Sequence, residues 1–241
     1  MNTADAPGSP AVGVSARRSR TGWWCAVAAA AFAGLAAAVL AADGGTLVFD
    51  AALRRWALES RPSPVVTVLR AVTTTGTGVT PYAVALFAGL IAARPFDAMR
   101  DRHTAVRFAL PAFASAAWLA LGQALRFALM TAIARPRPPV QDWLTHASRW
   151  SFPSGHATTS AMAAGLLVLA LLVRRPPAYR LWVGLTVAWA VAVGVSRVWL
   201  GVHWAGDVVA GWLLATVWTL SAALITAAVA PTRGQPRRLQ R

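Results

Sequence analysis

Three short polar segments interrupt an otherwise apolar chain, and together they offer a nucleophile, an acid and a set of cations. They are 135–138 (Arg-Pro-Arg-Pro), 153–156 (Pro-Ser-Gly-His) and 196–207, which opens with Ser-Arg. In the third, His203 and Asp207 are four residues apart, a spacing that places two side chains on one face of a helix. The carboxylate can then hold one imidazole nitrogen while the other attacks an electrophile, so the spacing predicts a nucleophilic histidine.

The other two segments supply what a phosphoryl group needs. His156 titrates near neutral pH and is suited to protonating a leaving oxygen. Ser154 and Gly155 stand where a helix begins, and the free N–H groups of a helix start attract anions. Glycine also lets the backbone approach a ligand closely. Arg137 and Arg197 are permanent cations that can grip phosphate oxygens through two hydrogen bonds.

Each segment alone has a simpler interpretation. An Arg-Pro-Arg-Pro loop is typical of a solvated turn, and Pro-Ser-Gly-His is typical of a helix cap. Asp207 is harder to dismiss, because a carboxylate within an apolar run is costly unless it is paired. Arg126 and Arg197 raise the same question, although both could extend their guanidinium groups toward water. The three segments together favour a functional site.

The composition predicts the environment in which this site works. Of 241 residues, 57% are hydrophobic and 13% are charged, whereas about a quarter of a soluble domain is charged. A soluble globule and a disordered chain are both excluded, which leaves an integral membrane protein. A net charge of +15 would suggest nucleic acid as a partner, but the arginines cluster between apolar runs, as in cytoplasmic loops. We therefore expect no nucleic-acid partner.

The apolar runs predict an all-α fold, a bundle of six transmembrane helices. The spans are expected at about 23–42, 80–93, 108–130, 156–173, 181–197 and 203–230. Between the first two, Leu47–Glu59 has the spacing of an interfacial helix, and Pro64–Val72 is a second short helix ended by the Thr/Gly run 73–78.

The ends of the chain and its sidedness follow from the arginines. Residues 1–20 are predicted to be a flexible cytoplasmic tail, 21–230 the membrane-embedded domain, and 231–241 a basic cytoplasmic tail. The tails and the loops after spans two and four hold 13 arginines, leaving out Arg107, against seven in the loops after spans one and three. The positive-inside rule then places both termini in the cytoplasm and the three polar segments at the outer face of the cell membrane.

The polar segments resemble the motifs of the type-2 phosphatidic acid phosphatase family, which shares a superfamily with vanadium haloperoxidases. The family pattern is Lys, six residues, Arg-Pro; then Pro-Ser-Gly-His; then Ser-Arg, five residues, His, three residues, Asp. The matching positions are Arg137, Pro138, Pro153, Ser154, Gly155, His156, Ser196, Arg197, His203 and Asp207. One position departs from the pattern, because Met130 stands where the family has lysine.

The resemblance implies a role for each matching residue. His203 would form a phosphohistidine, Asp207 would orient it, and His156 would protonate the leaving alkoxide and later assist water. The groups expected to bind the phosphoryl oxygens are Arg137, Arg197, Ser154 and the Gly155 amide. No metal and no other cofactor is expected. The charge missing at Met130 could come from Arg126, one helical turn earlier, or from Arg135 in the following loop.

The predicted function is hydrolysis of a lipid phosphate by an integral membrane phosphatase. Candidate substrates are phosphatidic acid, phosphatidylglycerol phosphate and a polyprenyl pyrophosphate, and the sequence does not choose among them. An alternative, motivated by Met130, is a non-catalytic lipid-phosphate binder or transporter with a degenerate site. A haloperoxidase is disfavoured because those relatives are soluble. The expected partners are the lipid substrate and the bilayer, and the oligomeric state is left open.

Overall fold

A computed structural model describes residues 10–93 and 102–229 of the chain. Within these residues all regular structure is helical, and the predicted all-α fold is confirmed. The helices are α1 (Pro10–Ala41), α2 (Val48–Glu59), α3 (Ser63–Thr74), α4 (Val79–Ala92), α5 (Arg102–Ile133), α6 (Gly155–Arg174), α7 (Tyr179–Trp199) and α8 (Ala205–Val229), with a 3₁₀ turn at Val140–Asp142.

Five of the described helices are long and apolar enough to cross a membrane: α1, α5, α6, α7 and α8. The predicted second span corresponds to α4, which has 14 residues and is about 21 Å long, too short for a hydrocarbon core of about 30 Å. Together, α3 and α4 are long enough for a sixth span, bent by 54° at the break between them. The second short helix, predicted at 64–72, corresponds to α3 and forms the other half of this bent pair.

Part of the segment predicted as a flexible tail at 1–20 lies within the described residues. Helix α1 begins at Pro10, so residues 10–20 are helical and lead into the first span, which begins at Arg18. Proline is favoured at a first helical position, and the arginines and alanines that follow are good helix formers. The predictions for residues 1–9, for most of the basic loop at 94–107 and for the tail at 231–241 lie outside the described residues.

Helix α6 lies at the centre of the bundle, because it contacts α4, α5, α7 and α8. Small residues permit this packing. A Cβ added at Gly165 would lie 2.2 Å from the Thr219 hydroxyl oxygen, and one added at Gly211 would lie 2.9 Å from the Thr158 hydroxyl oxygen. Glycines at these positions let α8 approach the backbone of α6, as small residues do between membrane helices. The start of α6 is thereby fixed against the start of α8.

The three polar segments meet at one end of the bundle, as the predicted topology requires. The loop between α5 and α6 folds back on itself, and the Ser151 amide donates to the Arg135 carbonyl oxygen at 2.9 Å. The same loop contacts the turn that joins α7 to α8, where the Leu144 amide donates to the Leu200 carbonyl oxygen at 2.9 Å. Helix α2 packs on α7 and α8, and α3 packs on α7, so both border this end.

Candidate active site

The predicted nucleophile lies in the turn before α8 and is held by the first turn of that helix. His203 Nδ1 is 3.2 Å from Asp207 Oδ2, and the Trp204 amide donates to the same oxygen at 2.9 Å. His203 is 4% exposed and Asp207 is fully buried. The i,i+4 pairing predicted from the spacing is present in the structure.

The second ring nitrogen of His203 identifies the tautomer. Its Nε2 lies 2.9 Å from a terminal nitrogen of Arg137. A guanidinium group can only donate, so Nε2 accepts and the proton of a neutral imidazole is on Nδ1, directed at Asp207. Burial, together with Arg137 and Arg197, lowers the pKa of His203 well below its usual range. At neutral pH the ring is uncharged, with the Nε2 lone pair available for attack.

Arg137 is held by main-chain carbonyl groups and not by a carboxylate. It donates to the carbonyl oxygens of Ser148, Arg149, Trp150 and Val202 at 2.7 to 3.1 Å. Burial lowers the pKa of Arg137 to about 10, so the group stays cationic at neutral pH. Its charge lies beside His203 and forms no ion pair within the described part of the chain. The N–H group that now points at His203 Nε2 is the one that an anionic ligand could take over.

Arg197 is a second cation without a carboxylate partner. It lies in the last turn of α7, is 2% exposed, and donates to the Thr73 hydroxyl at 2.9 Å. Its Nε is buried and has no hydrogen-bond partner among the described residues. An unpaired buried charge is costly, so an anion bound at this end of the bundle would stabilise Arg197.

The start of α6 adds unpaired groups to the same region. Ser154 occupies the N-cap position of α6 without a side-chain capping bond, and its amide donates to the Asp207 carbonyl oxygen at 3.0 Å. Its hydroxyl oxygen is buried and has no partner among the described residues. A Cβ added at Gly155 would lie 3.4 Å from Arg126 Cζ. The Arg126 guanidinium group therefore lies against the helix start, where glycine leaves room for it, and its Nε also lacks a partner in the described part of the chain.

His156 faces the break between α3 and α4. Its Nε2 is 3.4 Å from the Thr77 hydroxyl oxygen, and a Cβ added at Gly76 would lie 3.5 Å from its ring and 2.3 Å from Val193 Cγ1. The cations Arg126, Arg137 and Arg197 all act electrostatically on His156, as does His203. The Thr/Gly run that the sequence identified only as a helix break thus forms one wall of the site, with Thr73 and Thr77 facing it.

The structure separates the two candidates for the charge missing at Met130. Arg126 lies near the site, with a terminal nitrogen 3.1 Å from the Met130 sulfur. Arg135 is fully buried and pairs with Asp207 at 2.8 Å and with Asp50 at 2.6 Å. Of the two candidates the structure favours Arg126, because both terminal nitrogens of Arg135 are bound to carboxylates. Sequence reasoning missed Asp50, which looks like any polar-face residue of an amphipathic helix.

Three arginines that form no ion pair within residues 10–93 and 102–229 therefore surround a neutral, oriented histidine at a helix start. Residues 111–230, which include all three polar segments, match the PAP2 superfamily. The chain belongs to the PAP2 superfamily. The resemblance inferred from the motifs is confirmed at the level of the family.

Two curated relatives are similar to part of this PAP2 chain. An undecaprenyl-diphosphatase of Sulfolobus acidocaldarius is 45% identical over 65 residues, which are 27% of this chain and 28% of the relative. A putative undecaprenyl-diphosphatase of Escherichia coli is 41% identical over 85 residues, 35% of this chain and 39% of the relative. The matched segments thus span less than half the length of either relative.

A solved structure resembles the fold over most of the chain. It is the crystal structure of a transmembrane PAP2-type phosphatidylglycerolphosphate phosphatase from Bacillus subtilis, with a TM-score of 0.71 and 24% sequence identity. The match covers 88% of this PAP2 chain and 100% of that chain. The multi-pass helical architecture is therefore that of a transmembrane PAP2 protein.

Proposed function

We propose that this PAP2 protein is a membrane phosphatase that hydrolyses a lipid phosphate through a phosphohistidine at His203. The observation that carries the proposal is the state of His203. Its neutral ring is oriented by Asp207, and its Nε2 lies 2.9 Å from Arg137. When a phosphate oxygen takes the place of Nε2 as the acceptor for Arg137, the lone pair of Nε2 faces the phosphorus atom.

Two displacement steps complete the reaction. In the first, Nε2 of His203 attacks phosphorus, the phosphorus–oxygen bond to the lipid breaks, and His156 gives its proton to the departing oxygen. In the second, a water molecule attacks the phosphohistidine while His156 accepts a proton from it, and the phosphorus–nitrogen bond breaks. Asp207 stabilises the positive charge that develops on His203 in the first step. Inorganic phosphate leaves and both histidines regain their starting protonation.

The charge on the phosphoryl oxygens is balanced by side chains and helix amides. Arg126, Arg137 and Arg197 stand in no ion pair within the described part of the chain, and the unpartnered Ser154 hydroxyl lies beside the amide of Gly155. Preorganised cations and N–H groups stabilise a transition state without reorganising during the reaction. We therefore expect the reaction to need no metal ion.

The substrate proposed is an amphiphile whose phosphate enters this polar end while its tail remains in the bilayer. Phosphatidic acid, phosphatidylglycerol phosphate and a polyprenyl diphosphate all fit that description. The names of the two curated relatives favour the diphosphate as the first compound to test. The alternative of a lipid-phosphate binder remains motivated by Met130, which cannot contribute the charge of the family's lysine.

A substrate panel in detergent distinguishes these functions. The purified protein should release inorganic phosphate from at least one of the three lipids in the presence of a chelator. Vanadate, which imitates pentavalent phosphorus, should block the release. Binding of a lipid phosphate without release would support the binder. Loss of activity on chelation that a divalent ion restores would refute the metal-free mechanism.

We also propose that both termini face the cytoplasm and that the site opens on the outer face. The support is the arginine count by loop under the positive-inside rule. After replacement of Cys25, the only native cysteine, single cysteines are introduced at Val140 and at Pro177, both exposed. An impermeant thiol reagent on intact cells should label the first and not the second. The reverse pattern would invert the topology.

Arg126 is proposed to replace the charge that the family's lysine supplies. Its guanidinium group lies beside Gly155, and its desolvated Nε has no partner. Arg126→Ala should lower kcat/KM at least about tenfold, or about 1.4 kcal/mol of transition-state binding. Adding Met130→Lys should restore part of the loss, because that position lies 3.1 Å from Arg126.

The matched control is Arg55→Ala, which removes an exposed arginine from α2 and should leave kcat/KM near that of the parent. Turnover by Arg126→Ala at the parent rate would show that three cations are not needed. The site would then depend on Arg137 and Arg197 alone.

A further inference from the structure

A buried charge network lies behind the proposed nucleophile and joins Asp207 to two residues that match no motif position, Arg135 and Asp50. Arg135 donates to Asp207 Oδ1 at 2.8 Å and to Asp50 Oδ2 at 2.6 Å. Arg135 and Asp207 are fully buried and Asp50 is 1% exposed. Asp207 therefore has one oxygen on His203 and the other on Arg135, and the chain of contacts continues to a helix that no motif includes.

Asp50 has a second contact that bears on the same helix. Its Oδ1 accepts a hydrogen bond from the Gly206 amide at 2.7 Å, which is one of the free N–H groups at the start of α8. The carboxylate thus caps from α2 the helix turn that carries Asp207. Charge-assisted bonds of this kind are the stronger ones in proteins, so both the position and the ionisation of Asp207 depend on Asp50 and Arg135.

The network also fixes the turn between α1 and α2. Arg135 donates to the carbonyl oxygens of Gly44 and Gly45, at 3.4 and 2.8 Å. Gly44 has a positive φ of 74°, and a Cβ there would lie 2.9 Å from the Pro136 ring. The turn can therefore lie directly on the loop that carries Arg135 and Arg137. Four parts of the chain (the α1–α2 turn, α2, the α5–α6 loop and α8) meet at one guanidinium group.

We propose that Arg135 and Asp50 are positioning residues that act on the reaction through Asp207. Arg135 holds Oδ1 so that Oδ2 faces the Nδ1 proton of His203. Asp50 supplies a second negative charge, so that Arg135 does not neutralise Asp207 and weaken its attraction for the imidazolium ring that forms during attack. This inference rests on the proposed phosphohistidine mechanism, and it assigns a part in catalysis to the segment between spans one and two.

A double-mutant cycle tests whether Asp50 acts through Asp207. Asp50→Asn should lower kcat roughly 10- to 100-fold, the range expected when a hydrogen bond between charged groups is lost, with KM within about threefold of the parent. In an Asp207→Asn background the same substitution should cost less than about twofold, because the carboxylate through which it acts is absent. A parent-like kcat for Asp50→Asn would overturn the proposal.

Equal losses in both backgrounds would also overturn the proposal, because they would assign Asp50 a general structural role. The matched control is Asp142→Asn, which removes the partner of Arg54 from an ion pair at the surface of the same loop and should change kcat less than about twofold. The turnover of the parent and the loss of turnover in His203→Ala, measured in the same assay, test the proposed phosphohistidine mechanism. Failure of the mechanism is thereby distinguished from failure of the network.

Titration of His203 by NMR gives a readout that needs no turnover. The charged and titratable groups around its ring are Asp207, Arg135, Asp50, Arg126, Arg137, Arg197 and His156. Loss of a cation from this set favours the protonated ring, so Arg135→Met should raise the pKa of His203. Asp50→Asn removes an anion and should not raise it. A pKa of His203 that stays constant in Arg135→Met would contradict the network.

Discussion

His203→Ala is expected to lower kcat at least about 10⁴-fold while the protein remains folded. The substitution removes the proposed nucleophile, and water would have to attack the lipid phosphate directly. The cations and the helix start would remain, so binding of the lipid should survive. Rapid acid-free quenching of the parent during turnover should trap a phosphorylated protein, and the variant should give none.

The controls for this result are other histidine and carboxylate changes. His146→Ala removes an exposed histidine of the α5–α6 loop and should retain the activity of the parent. Asp207→Asn should keep a small remnant of turnover, since the ring is still present but has lost its orienting charge. Substantial phosphate release by a well-folded His203→Ala protein would contradict the mechanism. If His203→Ala still released phosphate while His156→Gln was inactive, the site would be catalytic but its nucleophile would be a residue other than His203.

The pairing of His203 with Asp207 could be predicted from sequence because its geometry is local. His203 and Asp207 are one helical turn apart, and a helix start after a short turn fixes their relation without reference to the rest of the chain. The helix start at Ser154 and Gly155 could be predicted for the same reason, because neighbouring residues in the sequence form it. The topology then brings these pieces to one end of the bundle, because consecutive antiparallel spans alternate their ends.

The partners of these residues could not be predicted, because they depend on long-range packing. Arg135 and Asp50 are 85 positions apart, and nothing in the sequence indicates which of the arginines outside the motifs faces a carboxylate. Arg126 was a candidate only by helical spacing from Met130, and the close approach to Gly155 appears once α5 is packed on α6. Thr73 and Thr77 looked like a helix break, and their contact with the site comes from the bend between α3 and α4.

The second span illustrates the same limit in the fold. A hydropathy pattern predicts where an apolar run lies, and α4 coincides with the predicted run to within one residue at each end. It does not predict that a shorter helix precedes α4 and meets it at an angle of 54°. The Thr/Gly run breaks the helix, and its Gly76 lies against Val193 of α7, where a side chain would not fit. The same bend places Thr77 beside His156.

His156→Gln is expected to lower kcat/KM for a lipid phosphomonoester such as phosphatidic acid by about 10²- to 10⁴-fold, the usual effect of losing a general acid. The leaving alkoxide of such a monoester needs a proton, and His156 is a titratable group at the helix start that faces the proposed phosphoryl site. The phosphate's negative charge, placed among Arg126, Arg137 and Arg197, favours the protonated ring at the moment when it is required. A leaving group that needs no proton should therefore tolerate the substitution.

The test compares the lipid with p-nitrophenyl phosphate, whose phenolate leaves without protonation. The rate of the first step should fall far less in His156→Gln with the aryl substrate than with the lipid. Because the same residue assists water in the second step, the aryl substrate should cause phosphorylated His203 to accumulate in the variant. Thr77→Val, which removes only the 3.4 Å contact to the ring, serves as the matched control and should lower both reactions equally and slightly. Equal losses on lipid and aryl substrates in His156→Gln, with no accumulated phosphoenzyme, would exclude His156 as the acid and leave the helix start with a purely binding role.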